Sequence, residues 1–438
     1  MTGPLRTLGV ALALGLLAAL TAPSGSRATR PAGATTAPLG GVNISSLEFR
    51  SELADADRDM AQARRLHAKL ARTTTKWSVL EPLGPNRLDL HALAFVDRLV
   101  ADAAAAGIRV IMTVEGTPCW ASAAPAQLLA RCQRTRDSDA NRWPPKDPGR
   151  YAEFVGFLAR RYGDRLAAIE IWNEPDHVNQ RFFAGPEKAV RYAAILKAAY
   201  PAIKRANPHV PVLAGSLVGS NGVFLRSLYA AGIKGYYDGL AVHYYTLVLA
   251  ALRSIHQVQL ENADSAPLWL DEFGWSSCYP RQRIQQEQPC VTPAIQATNV
   301  ANVLHSLART PYVAASVLYD LQDDAREQFG VLASRGARKP AFAALSRALA
   351  AAPVDASPIS LSLRARGGIT IARGSAPVGD IMQMEVFRGS LLRYRVPFTL
   401  DRFNRFSFAL PAVLGTHGLT VRVFQRWSGP GRDAQATI

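Results

Sequence analysis

Cysteine is scarce in this chain: 438 residues carry four. None forms a C-x-x-C pair, and no H-E-x-x-H occurs, so the common zinc and dithiol frameworks are absent and we expect neither a metal nor a cofactor. The four fall as Cys119 with Cys132 and Cys278 with Cys290, a spacing that suits two local loop staples in an oxidising compartment. Acids are also few, 34 against 50 Lys and Arg, which leaves a net charge of +16. Such an excess admits an acidic partner, but no nucleic-acid motif accompanies it, and we expect no nucleic acid. The one GxSxG-like stretch, GSLVG at Gly215–Gly219, lacks the central serine of a nucleophile elbow. The apolar run Leu8–Leu20 is shorter than the roughly 20 residues of a membrane span. It follows Arg6 and leads into Ser26-Arg27-Ala28, the layout of a secretory signal. We therefore expect residues 1–28 to be a signal and 29–40 a linker, with an exported, monomeric protein beyond them, secreted or held at the envelope without stable membrane insertion.

From residue 41 onward, β-branched runs alternate with longer amphipathic segments. Strands are expected at Gly41–Ser45, Leu70–Thr75, Arg109–Val114, Ala168–Trp172, Val210–Ala214, Gly239–Tyr244, Pro267–Leu270 and Ala314–Tyr319. Helical spacing covers Ser51–Leu66, Leu88–Ala106, Pro148–Tyr162, Pro186–Ala206 and Ala294–Thr310. Eight such units over residues 41–351 predict an α/β fold, a (β/α)8 TIM barrel. After residue 352 the texture changes to period-two alternation between Gly and Pro turns, as in LLRYRVPFTL and LTVRVFQRW, which predicts a small C-terminal antiparallel β-sandwich over 352–438. That segment holds eleven arginines, no lysine and five acids, so the positive excess extends into it.

In a TIM barrel, chemistry sits where strands end at the C-terminal face. The run IEIWNEPD, Ile169–Asp176, begins as a buried strand and ends in Asn173-Glu174-Pro175. PLWLDEFGW brings Glu272 to the end of the seventh strand in the same way. Two carboxylates on opposite sides of a barrel mouth can flank a glycosidic bond, one as acid and one as nucleophile. Arg72 is a candidate to orient the nucleophile or to form a structural ion pair. Trp77, Trp120 and Trp275 are candidates for sugar platforms or for loop packing, and Glu115 at the third strand's end for a distal contact or a loop bond.

WNEP followed by WLDEFGW resembles the acid/base and nucleophile motifs of the clan A retaining glycoside hydrolases. With TTKWSVLEP, TPCWA, AVHYYT and FGVL…RKPAFAAL, the chain is most similar to glycoside hydrolase family 39 over about residues 41–350. The resemblance implies Glu174 as general acid/base, Glu272 as nucleophile, and Asn173 on the substrate's 2-hydroxyl. It also implies Tyr245, beside His243 at the end of strand six, as a hydrogen-bond donor to Glu272. A sandwich only at the C-terminal end is similar to the bacterial exopolysaccharide endoglycosidases of the family, which implies internal cleavage of a carbohydrate chain. The family's β-xylosidase and iduronidase members keep an exo-acting enzyme and an acidic polysaccharide substrate as alternatives, and a non-catalytic glycan-binding barrel is the third.

Overall fold

The computed structural model describes residues 38–45, 53–132, 138–280, 290–324, 327–350, 358–426 and 433–438. The expected signal and all but the end of the expected linker lie outside the described residues. Eight strands close into one parallel barrel in chain order: β1 Leu39–Asn43, β2 Leu70–Lys76, β3 Arg109–Glu115, β4 Leu166–Ile171, β5 Val212–Leu217, β6 Gly239–His243, β7 Leu268–Phe273 and β8 Val313–Leu318, with β8 returning to β1. Each is followed by a helix: α1 Leu53–Arg65, α2 Leu90–Ala105, α3 Pro148–Tyr162, α4 Lys188–Ala206, α5 Val223–Ala230, α6 Val248–Glu261, α7 Pro293–Leu307 and α8 Pro340–Leu349. The starts are written locally. Asp89 accepts from the amides of His91 and Ala92 at α2, Asp147 caps α3 ahead of Pro148, and Thr292 caps α7 ahead of Pro293.

Covered by helices outside and filled by side chains inside, the strands are buried on both faces. Along β4, Ile169 and Ile171 join the core beneath the helices, while Ala168 packs inside the barrel. The same alternation sends Glu170 inward, where it meets Arg72 of β2. The interior layer is built of Leu70, Ile111, Ala168, Leu213, Ala241, Trp269 and Val317. Strand seven runs to Phe273, beyond the Leu270 expected from sequence, because Asp271 and Glu272 are strand residues whose charge is answered across the barrel.

Past the barrel, two antiparallel sheets pack together: β13 Arg405–Ala409, β10 Ile369–Ser375 and β9 Ser360–Arg366 in one; β12 Leu391–Phe398, β11 Met382–Arg388, β14 Thr420–Gln425 and β15 Asp433–Thr437 in the other. Their core contains Met382, Met384, Val386, Phe406, Val421 and Val423. This sandwich is tied to the barrel through α6 and α7: Arg253 pairs with Asp380, the Leu249 amide donates to Gly379 at 2.7 Å, and Asn404 donates to Asn299 at 2.7 Å.

Both cysteine pairs are disulfides, Cys119–Cys132 and Cys278–Cys290, and no cysteine is free. They close loops of 13 and 12 residues in sequence separation, each worth at most about 3 kcal/mol in the chain-entropy model. Replacing Cys119 and Cys132 with serine should lower unfolding free energy in urea by no more than that. A loss above about 5 kcal/mol would mean that the bridge holds the native loop rather than merely restricting the unfolded chain.

Candidate active site

The mouth of the barrel is organised on Arg72, whose side chain is 3% exposed. Its Nε donates to Glu170 Oε2 at 2.8 Å and lies 3.2 Å from Asp271 Oδ2. Nη1 reaches Glu272 Oε1 at 2.6 Å and Asn43 Oδ1 at 3.1 Å, and Nη2 reaches Asn173 Oδ1 at 2.8 Å. Burial alone would lower the guanidinium pKa, but the carboxylates of Glu170, Glu272 and Asp271 reverse this and hold it well above its ordinary value. The cation is therefore fixed, and its fork dictates where four side chains point.

Glu174 stands three residues beyond β4. Trp172 and Glu174 have φ of +69° and +43°, a region that L-residues rarely adopt. The fully buried Trp172 ring holds the turn: its indole N–H donates to Phe182 O at 3.0 Å, and it packs edge-on against Phe183 at 5.2 Å. Tyr192 of α4 donates to Ile171 O at 2.8 Å and accepts from the Gly215 amide at 2.6 Å, which locks the ends of β4 and β5 together. Asp176 continues the clamp by accepting from the amides of Val218 and Gly219 at 3.1 and 2.8 Å. Gly219 is needed there, since a Cβ would sit 2.9 Å from the Asp176 carboxylate.

Opposite, Glu272 on β7 accepts from Arg72 at one oxygen and from the Tyr245 hydroxyl at the other. His243, at the end of β6, lies between the two acids: Nδ1 is 2.8 Å from Glu174 Oε1 and 3.4 Å from Glu272 Oε2. One oxygen of Glu174 and one of Glu272 lie within 4.8 Å of each other and of that nitrogen. Burial first, then the Glu272 and Asp176 carboxylates, push the Glu174 pKa well above its ordinary value. Burial, helped by Arg72, pushes His243 well below its own, so the imidazole is neutral. Asp271 is also raised well above the usual range, by burial and then by Glu170. Two sets, Glu174 with His243 and Glu272, and Glu170 with His243 and Asp271, have ligand-type atoms close enough for a cation. Arg72 already supplies the positive charge among them, so the arrangement is a compensated hydrogen-bond network.

Of the residues singled out in sequence, Arg72, Asn173, Glu174, His243, Tyr245 and Glu272 are brought together. Trp77 is set apart from them. Trp77 is 0% exposed, stacked on Phe154 and bonded through Nε1 to Glu81 at 2.7 Å; the apolar space beneath α3 claims it, and it offers no sugar platform. Trp275 is buried edge-on against Phe273, lining with Tyr245 a cavity of about 290 Å³ between barrel loops and sandwich rather than standing open. Trp120 is partly exposed, with its indole donating to Glu81 O at 2.9 Å. Glu115 ends β3, half-buried. Glu170, Asp271 and Asn43 were not anticipated. A charged residue at an inward position of an otherwise apolar strand, Glu170 between Ile169 and Ile171, is the signal that marks them.

No protein-family profile and no curated protein matches the chain. Solved structures do. A family 39 glycoside hydrolase from Bacteroides cellulosilyticus WH2 aligns over 90% of this chain and 82% of its own, at 17% identity and TM-score 0.55. The family 39 enzyme from Xanthomonas axonopodis pv. citri aligns over 92% and 95%, at 14% and 0.53, and a family 39 β-xylosidase from Caulobacter crescentus over 80% and 83%, at 18% and 0.53. At these identities the similarity shows a common fold, a barrel with a C-terminal sandwich.

Trp77→Ala should cost about 3–5 kcal/mol of stability, as for a core aromatic, and leave KM on any substrate unchanged in the folded fraction. Urea unfolding beside kinetics separates the two roles; a raised KM with unchanged stability would restore the platform reading.

Proposed function

We propose that the chain is a secreted retaining glycoside hydrolase that cleaves an oligo- or polysaccharide by double displacement. The observation that carries this reading is the approach of Glu174 and Glu272 to within 4.8 Å, oxygen to oxygen, at the barrel mouth. Retaining enzymes hold their carboxyl groups about 5–5.5 Å apart, whereas inverting ones leave about 6.5–9.5 Å for a water. The structural similarity to family 39 enzymes supports the same assignment.

In the first step an oxygen of the Glu272 carboxylate bonds to the anomeric carbon as the bond to the leaving oxygen breaks, and Glu174 gives that oxygen its proton. The product is a glycosyl ester on Glu272 and a free alcohol. Forming the ester removes the negative charge that helped to raise the Glu174 pKa, so the Glu174 carboxylate becomes a suitable base. Water then loses a proton to Glu174 and attacks the anomeric carbon, releasing the sugar with retained configuration and restoring Glu272. Arg72 and Tyr245 orient the nucleophile, and Asn173, aimed by Arg72, contacts the 2-hydroxyl, where hydrogen bonds strengthen in the transition state. No step requires a metal or cofactor. The C-terminal sandwich, an arrangement that resembles the exopolysaccharide-cleaving members of family 39, supports internal cleavage.

Glu272→Ala should abolish turnover and regain it with azide, which fills the vacated space and attacks from the nucleophile's side. A β-substrate should then yield the α-azide; a β-azide alone would refute the role. Glu174→Gln should slow substrates with poor leaving groups far more than activated aryl glycosides, because only the former need the proton. In the wild type, kcat/KM should fall as pH rises through the elevated Glu174 pKa, and this basic limb should vanish in Glu174→Gln with an activated substrate.

The arginine-rich sandwich supports an acidic glycan as substrate, because arginine suits bidentate carboxylate contacts. Exposed charges are screened over about 8 Å at physiological salt. Affinity for an acidic polysaccharide such as alginate should therefore fall steeply between about 50 and about 500 mM NaCl, over which the screening length shortens roughly threefold, from about 14 to about 4 Å, while hydrolysis of a small neutral aryl glycoside stays constant. Salt-independent binding would assign the sandwich a purely structural role.

A further inference from the structure

Asp271 takes no part in the displacement just described, yet it lies fully buried beneath it. Nε2 of His243 has no hydrogen-bond partner among the described residues, and neither carboxyl oxygen of Asp271 accepts a hydrogen bond there. These two unsatisfied groups face each other, Nε2 to Oδ1, at 3.6 Å, about half an ångström beyond normal hydrogen-bond reach. A buried polar group left unpaired is destabilising, so a small closure that joins them relieves both.

The direction of the bond follows from what surrounds each end. Nδ1 faces two acceptor oxygens, Glu174 Oε1 and Glu272 Oε2. A lone pair there would oppose both, so the ring N–H belongs on Nδ1 and the lone pair on Nε2. A partner for Nε2 must then be a donor. On Asp271, Oδ2 faces the Arg72 N–H at 3.2 Å, which leaves Oδ1 as the oxygen that can bear a proton toward His243. Glu170 is the competing neighbour, close enough that its carboxylate and a hydrogen bond to it help to raise the Asp271 pKa; its own oxygens already accept from Thr113 at 2.5 Å and from Arg72 at 2.8 and 3.3 Å, which favours His243 Nε2 as the acceptor. The upward displacement of the Asp271 pKa agrees with a neutral carboxyl.

We propose that Asp271 is a positioning residue: it donates through Oδ1 to His243 Nε2, fixes the imidazole with its N–H on Nδ1, and thereby confines the transferable proton of Glu174 to Oε2. Oε1 is occupied as the acceptor of the Nδ1–H. Oε2 is the oxygen turned away from His243, with His177 Nε2 at 3.9 Å, and a proton there can be delivered to a leaving group. The inference rests on the acid/base role of Glu174 proposed above. The charged groups around that carboxyl are Glu272, Arg72, and, on its own loop, Asp176 and Arg181, with His177 and His243 as titratable neighbours. Those around Asp271 are Glu170, Arg72, Glu272 and His243.

Two measurements test it. In protein labelled with 15N-histidine, the His243 ring, assigned by the loss of its signals in His243→Asn, should show Nδ1 protonated and Nε2 bare; a proton on Nε2 overturns the proposal. This readout needs no substrate, so it stands even if the protein hydrolyses no glycoside, an outcome that would instead overturn the functional reading. In kinetics, Asp271→Asn can still donate an N–H to Nε2 while its carbonyl faces Arg72, and should keep kcat within about threefold. Asp271→Leu cannot, and should lose more than about tenfold in kcat with little change in KM. Its basic limb should move to higher pH, because the ionised form of Glu174 loses its fixed donor. Equal loss in both variants overturns the proposal, and if Asp271→Leu does not fold, the tautomer decides alone.

Discussion

One guanidinium makes the rest of this site possible. Arg72 is almost fully buried, and so are Glu170, Asp271 and Glu272 around it. Placing carboxylates inside a barrel without a compensating cation is prohibitive, since the desolvation penalty is several kcal/mol per ion even after relaxation. The compensation works only with bonded geometry, and Arg72 supplies this through donors fixed in one plane, reaching Glu170 below, Glu272 across and Asn173 above. Lysine would provide the charge without the fork. The same bonds that neutralise the interior therefore aim the groups at the mouth, and stability and positioning cannot be separated at this residue.

Arg72 also explains why two glutamates so close together differ in environment. Glu272 accepts directly from Arg72 and Tyr245, an arrangement suited to a carboxylate. Among the described residues no such cation is bonded to Glu174, which is buried beside Glu272 and Asp176, and this favours its protonated form. The asymmetry is set in the backbone: Glu272 is part of a strand, whereas Glu174 sits on a turn with positive φ held by Trp172, Tyr192 and Asp176. Strain of order 1–3 kcal/mol at such residues persists only where the surroundings over-determine them, and here two neighbouring loops and a helix do so.

The barrel was legible in the sequence because parallel strands covered on both faces read as short apolar runs between amphipathic helices. Glu174 and Glu272 were legible for a related reason, as acids directly after such runs. The place of Trp77 was not, because sequence shows an aromatic ring but not whether a helix covers it: α3 brings Tyr151 and Phe154 over Trp77. Arg72 stood out as a charge in a strand, but its partners are distant in sequence, Asn43 by 29 residues, Glu170 by 98 and Glu272 by 200. Only closure of the barrel brings them within reach. The end of β7 was set three residues early for the same reason, since Asp271 and Glu272 look like loop residues until the cation opposite them is known.

These cross-barrel bonds also bear on how the site keeps its geometry. Asn43 of β1, Arg72 of β2, Glu170 of β4, His243 of β6 and Glu272 of β7 come from five strands, and each is held through at least one of the others. A loop-borne pair would drift with its loops, and a misplacement of about 1 Å can cost about a hundredfold in rate. Here a relative shift of the mouth requires the strands themselves to move, against a closed ladder of parallel pairings. Glu174 is the exception, since it alone of the two acids stands on a loop, and the bond from His243 to its carboxyl therefore carries much of the burden of keeping it in register with Glu272. The bond from His243 therefore shares with the clamp of Trp172, Tyr192 and Asp176 the task of holding the acid in place.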